Sequence, residues 1–169
     1  MAGIYIHIPF CKQKCHYCDF YKTLETGKRE DFIKSLVSEV EQRKNYLSPD
    51  TVIDTVYLGG GTPSVLTLAG IRKILKTLKN NFTFSDNPEI TIEVNPDDIT
   101  ATYAAGLIKE GINRVSIGIQ SFNDETLMML NRRHDSKQAL QSVLVCREAG
   151  FRNISIDLIY GIPGMSTGE

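Results

Sequence analysis

The chain has 169 residues, a formal net charge of -1 and 41% hydrophobic residues, which suits one globular domain with a core of its own. No apolar run reaches the length of a membrane span, and no basic stripe marks nucleic acid as a partner. Four cysteines without a signal-peptide pattern point to a reducing, cytoplasmic setting in which thiols are free to take metal.

Residues 4–8 alternate as a first strand, and Cys11, Cys15 and Cys18 follow in the run CKQKCHYC. Phe32, Ile33, Leu36, Val37, Val40 and Leu47 then recur at helical spacing. A second strand over 52–58 runs into Gly59, Gly60 and Gly61, and Leu68, Ile71, Leu75 and Leu78 mark the second helix. Strand three covers 89–94, and a short helix follows Thr100 as N-cap. Strand four covers 114–120. Helical segments start near Asn123 and Ser136, strand five covers 154–160, and Gly161-Ile162-Pro163-Gly164 comes after it.

Strand and helix repeated in this way predict parallel strands with helical crossovers, in a doubly wound sheet or a barrel-like one. The strand patterns favour the barrel. Ile90, Ile92 and Val94 oppose Thr91 and Glu93; Val115, Ile117 and Ile119 oppose Ser116, Gly118 and Gln120; Ile154, Ile156 and Leu158 oppose Ser155 and Asp157. A parallel sheet covered on both faces reads apolar on both. One polar face fits a curved sheet with helices outside and a polar ligand inside; the alternative is edge strands that meet solvent. A closed eightfold barrel takes at least about 200 residues, so the expectation is a barrel that is incomplete or truncated after strand five.

The C-x3-C-x2-C spacing offers three thiolates where a [4Fe-4S] cubane takes four, which leaves one iron open to a substrate or cosubstrate. Structural zinc sites usually start from C-x2-C pairs; zinc held by the three cysteines with His7 or His16 is the competing arrangement. Cys146 sits in a helical segment and reads as a small buried hydrophobe. His134 reads as a surface residue.

The segments YIHIPFCKQKCHYCDF, YLGGGTPS, IEVNP, SIGIQSF, LNRRHD and IDLIYGIPG, in this order along nearly the whole chain, resemble the radical S-adenosylmethionine (SAM) superfamily. Within it they resemble the group that holds oxygen-independent coproporphyrinogen III oxidase and its heme chaperone relatives. The resemblance implies an α/β fold, a partial (β/α)6 radical SAM barrel, with residues 1–169 as its core and strand six and the C-terminal region absent. It implies a [4Fe-4S] cluster on Cys11, Cys15 and Cys18, a metal-binding loop at the C-terminal face of the barrel. The open iron would chelate the amino and carboxylate groups of SAM, and an electron from the cluster would cleave SAM to methionine and a 5′-deoxyadenosyl radical.

By the same resemblance Gly60, Gly61 and Thr62 receive the methionine amino group through backbone carbonyls. Glu93, Gln120, Arg132 and Asp157 surround SAM, Arg132 pairing with its carboxylate, and Tyr5 lies near the adenine. Arg132 is expected on the helix after strand four. Structural roles for Gln120 (bonding neighbouring strands) and Asp157 (capping a helix or pairing with a nearby base) compete. Tyr17 and Phe20 would either shield the cluster or join the core.

The oxidase branch carries a further cysteine two residues after the third cluster cysteine, where this chain has Phe20, and an N-terminal extension for which no room is expected before residue 4. Both departures favour the heme chaperone branch, whose members bind heme and deliver it to target proteins. The alternative is an oxidase that turns two propionates of coproporphyrinogen III into vinyls. The implied partners are heme or a porphyrinogen, a heme-acceptor protein and a reductant protein such as flavodoxin or ferredoxin.

Overall fold

The computed structural model describes residues 2–164. In chain order the elements are β1 (Ala2–Ile8), α1 (Arg29–Gln42), β2 (Val52–Gly60), α2 (Leu68–Asn81), β3 (Thr83–Val94), α3 (Ala101–Lys109), β4 (Arg114–Gln120), α4 (Asp124–Met129), α5 (Ser136–Ala149) and β5 (Asn153–Leu158). Helices α2 to α5 start where side chains cap them, whereas α1 has no capping side chain. Thr67, Thr100, Asn123 and Asp135 each accept a bond from a first-turn backbone N–H, and Asp135 forms a full capping box with Gln138.

The five strands are all parallel and lie in the order β1-β2-β3-β4-β5. A doubly wound sheet reverses direction at a switch point; this one never does. Right-handed crossovers that always step the same way place every helix on one face, so the sheet is the wall of a partial barrel. Its helix-facing side supplies Ile6, Ile8, Val56, Leu58, Ile90, Ile92, Val94, Val115, Ile117 and Ile119, all buried in one cluster with residues of the helices. Each fully buried side chain of this kind contributes about 1.5–3 kcal/mol.

The other side is polar. Tyr5, Tyr57, Thr91, Arg114 and Asn153 occupy one register row, and Glu93, Ser116 and Ser155 share the next row toward the strand ends. Arg114 donates to Thr91 Oγ1 at 3.2 Å and to Ser155 Oγ at 3.1 Å. Thr91, Arg114, Ser116 and Ser155 therefore bond one another along the inner wall, while Asn153 and Asp157 of β5 stay exposed.

Some boundaries differ from the sequence expectation. β3 starts at Thr83, not 89, because Val52 and Ile53 of β2 pair with Thr83 and Phe84. α1 ends at Gln42, and Leu47 packs against the core from the turn beyond it. β5 stops at Leu158. Its apolar face does not behave as strands three and four do: Ile156 is 41% and Leu158 55% exposed. No described helix is long and apolar enough to cross a membrane.

Candidate functional site

The run from β1 into the cysteines is held by backbone pairing. Thr23 N–H donates to Pro9 O at 2.7 Å and Cys11 N–H donates to Thr23 O at 2.9 Å, so the loop returns alongside its own start. The glycine run after β2 is sewn to the same stretch, with Gly61 N–H on Ile8 O and Thr62 N–H on Phe10 O, both at 2.8 Å. A side chain at Gly61 would put its Cβ 2.9 Å from both of those carbonyl oxygens, so the close approach of the two segments depends on glycine there.

Cys11, Cys15, Cys18, Gly60, Gly61, Thr62, Glu93, Gln120, Arg132 and Asp157 line one cleft of about 370 Å³ at the C-terminal ends of the strands. Tyr5, 59% exposed, is not among its lining residues. It stacks on Tyr57 at 6.0 Å between ring centroids and contacts His7 Nδ1 through its hydroxyl at 3.2 Å. Tyr17 and Phe20 border the cleft, and both are too exposed to be core residues.

All three loop cysteines are free thiols. Cys11 Sγ accepts from Thr62 Oγ1 at 3.4 Å and Cys15 Sγ from Arg132 Nη1 at 3.3 Å. Burial pushes the Cys11 thiol up, and negative charge on Cys18 and Cys15 adds to this, while the Thr62 hydroxyl and Lys22 oppose it. Among the described residues no three His, Cys, Asp or Glu side chains form a single-ion site. His7 Nε2 meets Tyr21 O at 3.0 Å and His16 Nδ1 meets Met129 O at 2.8 Å. A cubane takes each thiolate on a separate iron, so its ligands surround a volume rather than a point.

Glu93 accepts from Tyr57 Oη at 2.8 Å and from Gly60 N–H at 3.1 Å. Burial pushes its carboxyl up despite these bonds, and the Asp157 charge pushes it further. Asp157 Oδ1 accepts from Ser116 Oγ at 3.1 Å, so it caps no helix here. Gln120 holds a left-handed backbone (φ 72°) at the end of β4, next to a register shift. A non-glycine residue held there stores strain of about 1–3 kcal/mol, a feature that concentrates at functional sites.

Arg132 lies beyond α4, not on it. Asn131 adopts φ 58°, its N–H bonds Met128 O, and Arg132 N–H bonds Leu127 O. This is a Schellman ending, and it turns Arg132 back toward the cleft. The guanidinium reaches Cys15 Sγ and Tyr17 Oη at 3.3 Å, Asn95 Oδ1 at 2.8 Å and Gly118 O at 2.6 Å. Its Nε is buried and has no partner. Burial pushes the Tyr17 hydroxyl up to about 12, against the pull of Arg132.

His134 departs from the expectation of a surface residue. It is 4% exposed, and its Nε2 meets Ile119 O at 3.0 Å. Burial holds its pKa below the ordinary histidine value, and Arg132 adds to this. Cys146 is fully buried, as its helical setting predicts. Sequence reasoning missed Asn95, which lines the cleft and bridges Arg132 to Thr62 Oγ1 (3.4 Å). Its only signal was its place between Glu93 and Pro96 at the end of a strand. Asp98 was missed too; it accepts from Ser64 Oγ at 2.7 Å and pairs with Lys12 of the cysteine loop.

The residues present fit a cluster and a zwitterionic cosubstrate. Three free thiols border a cleft lined also by two carboxylates, Glu93 and Asp157, and by the Arg132 cation, which carries a buried donor without a partner.

Comparison with known proteins agrees. The model of the radical SAM superfamily matches residues 5–169. The heme chaperone HemW of Haemophilus influenzae is 36% identical over 172 aligned residues, which cover 99% of this chain and 45% of that protein. The oxygen-independent coproporphyrinogen III oxidase of Salmonella typhimurium is 36% identical, over 95% of this chain and 35% of that protein. Among solved structures, coproporphyrinogen III oxidase from Escherichia coli, described as a radical SAM enzyme, superposes with a TM-score of 0.89 at 36% identity, over 97% of this chain and 38% of the other. The chain thus spans less than half the length of these relatives.

Proposed function

The chain belongs to the radical SAM superfamily, and on that premise we propose that it falls in the heme-related group of its relatives and is a heme chaperone, which binds heme and delivers it to target proteins. The reading rests on the convergence of the cysteine loop, the glycine run, Arg132 and the three strand-end residues Glu93, Gln120 and Asp157 on one cleft. Residues 1–169 are assigned to a single radical SAM core.

In this reading Cys11, Cys15 and Cys18 hold a [4Fe-4S] cluster. When bound, the cluster supplies the electron that cleaves SAM to methionine and a 5′-deoxyadenosyl radical. The chain's own residues bind and orient. Arg132 receives the methionine carboxylate through its guanidinium, which already stands between Asn95 and Gly118. The carbonyls of Gly60, Gly61 and Thr62 take the amino group. Glu93, fixed by Tyr57 and the Gly60 N–H, and Asp157 hold cationic or hydroxyl groups. Gln120 closes the rim, and Tyr5 would serve the adenine only from outside the cleft. Electrons would come from a flavodoxin- or ferredoxin-type protein.

Phe20 favours the chaperone. It stands where the oxidase branch has a further cysteine, and it is 71% exposed at the cleft. The second reading is the oxidase, favoured by the 0.89 TM-score to the Escherichia coli enzyme. One experiment separates them. Protein reconstituted anaerobically is given SAM, reductant and coproporphyrinogen III, and in parallel is titrated with heme. Saturable heme binding with unchanged porphyrinogen supports the chaperone; loss of two carboxyl groups as two vinyls form overturns it in favour of the oxidase.

A further inference from the structure

The cysteine loop is attached to the barrel at a place the catalytic reading does not use. Gln13 Nε2 donates to both the backbone oxygen and Oδ1 of Asn131, each at 2.9 Å, and Asn131 Nδ2 donates to Lys14 O at 2.7 Å. Backbone carbonyls only accept, so each amide can face in only one direction and the two side chains interlock. Beside them His16 N–H donates to Leu130 O at 3.1 Å, and His16 Nδ1 meets Met129 O. The residues on both sides of Cys15 are thus tied to the turn that ends α4.

Asn131 is an informative choice at that position. Its left-handed backbone (φ 58°) is one that glycine adopts at least as readily. The turn alone does not call for asparagine; the side-chain bonds to Gln13 and Lys14 do, since glycine would make neither. The next residue, Arg132, contacts Cys15 Sγ. One turn therefore fixes the loop backbone and aims the guanidinium.

We infer that Asn131 is a positioning residue that clasps the cysteine loop and holds Cys15 where both the cluster and Arg132 meet it. The inference rests on the cluster reading for its effect on iron, but the clasp itself exists without metal. The Gln13 bond to the Asn131 backbone oxygen, the two His16 bonds and the pairing of Lys12 with Asp98 remain as tethers, so loss of the side-chain clasp loosens the loop without freeing it.

Asn131→Gly tests this cleanly, because it keeps the turn and removes only the side-chain bonds. Three readouts are taken on the whole chain: thermal unfolding of the apo-protein, amide hydrogen exchange of residues 11–23 in the apo-protein, and anaerobic iron release to bathophenanthroline disulfonate after reconstitution. The expected result is an apo midpoint no lower than wild type, faster exchange in the loop, and iron release faster by on the order of tenfold, the effect of losing one or two hydrogen bonds. Asn131→Asp keeps the acceptor for Gln13 but sets a carboxylate oxygen against the Lys14 carbonyl, so its loop is expected to exchange at least as fast as that of Asn131→Gly. Wild-type exchange and wild-type iron release in Asn131→Gly overturn the inference. So does a lowered apo midpoint, which would make Asn131 a plain stability residue. If the wild type takes up no iron, the cluster reading fails, while faster exchange in the variant still upholds the clasp.

Discussion

Arg132 reaches Cys15 Sγ with one arm of its guanidinium at 3.3 Å and the Gly118 carbonyl with the other at 2.6 Å. One cation thereby joins the cysteine loop to the end of β4. Lysine carries the charge but not the planar fork that spans both partners. Arg132→Lys is expected to retain iron and to weaken SAM binding by about 10–100-fold, the worth of one charge-assisted hydrogen bond. Calorimetric titration of SAM into the reconstituted protein checks this; wild-type affinity would remove Arg132 from the site.

The four cysteines divide by environment. Cys11, Cys15 and Cys18 line the cleft, and Cys146 is fully buried in the core. Reconstituted wild type is expected to hold about four irons per chain, as one cubane requires. Cys15→Ala abolishes this and Cys146→Ala does not. Iron and sulfide analysis decides; stoichiometric zinc without iron in the wild type would sink the cluster assignment.

Gly60 has φ 110°, and a Cβ there would lie 2.7 Å from the His7 ring. Gly60→Ala meets both backbone strain and collision. It is expected to cost about 1–3 kcal/mol of stability, the range for a residue forced into a sparsely populated conformation. Urea unfolding of the apo-protein measures it; an unchanged midpoint would show that the strand end relaxes freely.

His134 is buried and its pKa is held down. Below the unfolded value of about 6.5 the unfolded chain takes a proton that the folded one refuses. Its contribution to stability is therefore full above that pH and is lost as pH falls toward the folded pKa. Unfolding free energy should drop between pH 7.5 and 5.5, and less steeply in His134→Gln. Equal slopes in the two proteins would show that other groups carry the dependence.

The legible part of the site was the part written in local spacing. Glu93, Gln120 and Asp157 were placed on the polar side by the two-residue period of β3, β4 and β5, and all three line the cleft. Tyr5 obeys the same period, yet it sits one register row further from the strand ends than Glu93 and is not a lining residue. Period tells which face a residue takes and not how far along the barrel it lies. His134 and Arg132 were misplaced because a short helix and its left-handed ending leave little periodic signal.

By itself the sequence determined that the strands run parallel, which face of the sheet is buried and where the cysteine loop lies. Each follows from covalent spacing or from the repeat of apolar side chains, which act over a few residues. Only the tertiary structure decided that Asn131 grips Lys14 across 117 positions, that Asn95 bridges Arg132 to Thr62, and that Asp98 tethers Lys12. Those bonds form between segments that no local pattern relates. They exist because the barrel wall brings successive strand ends to one rim, where polar groups distant in sequence meet as partners.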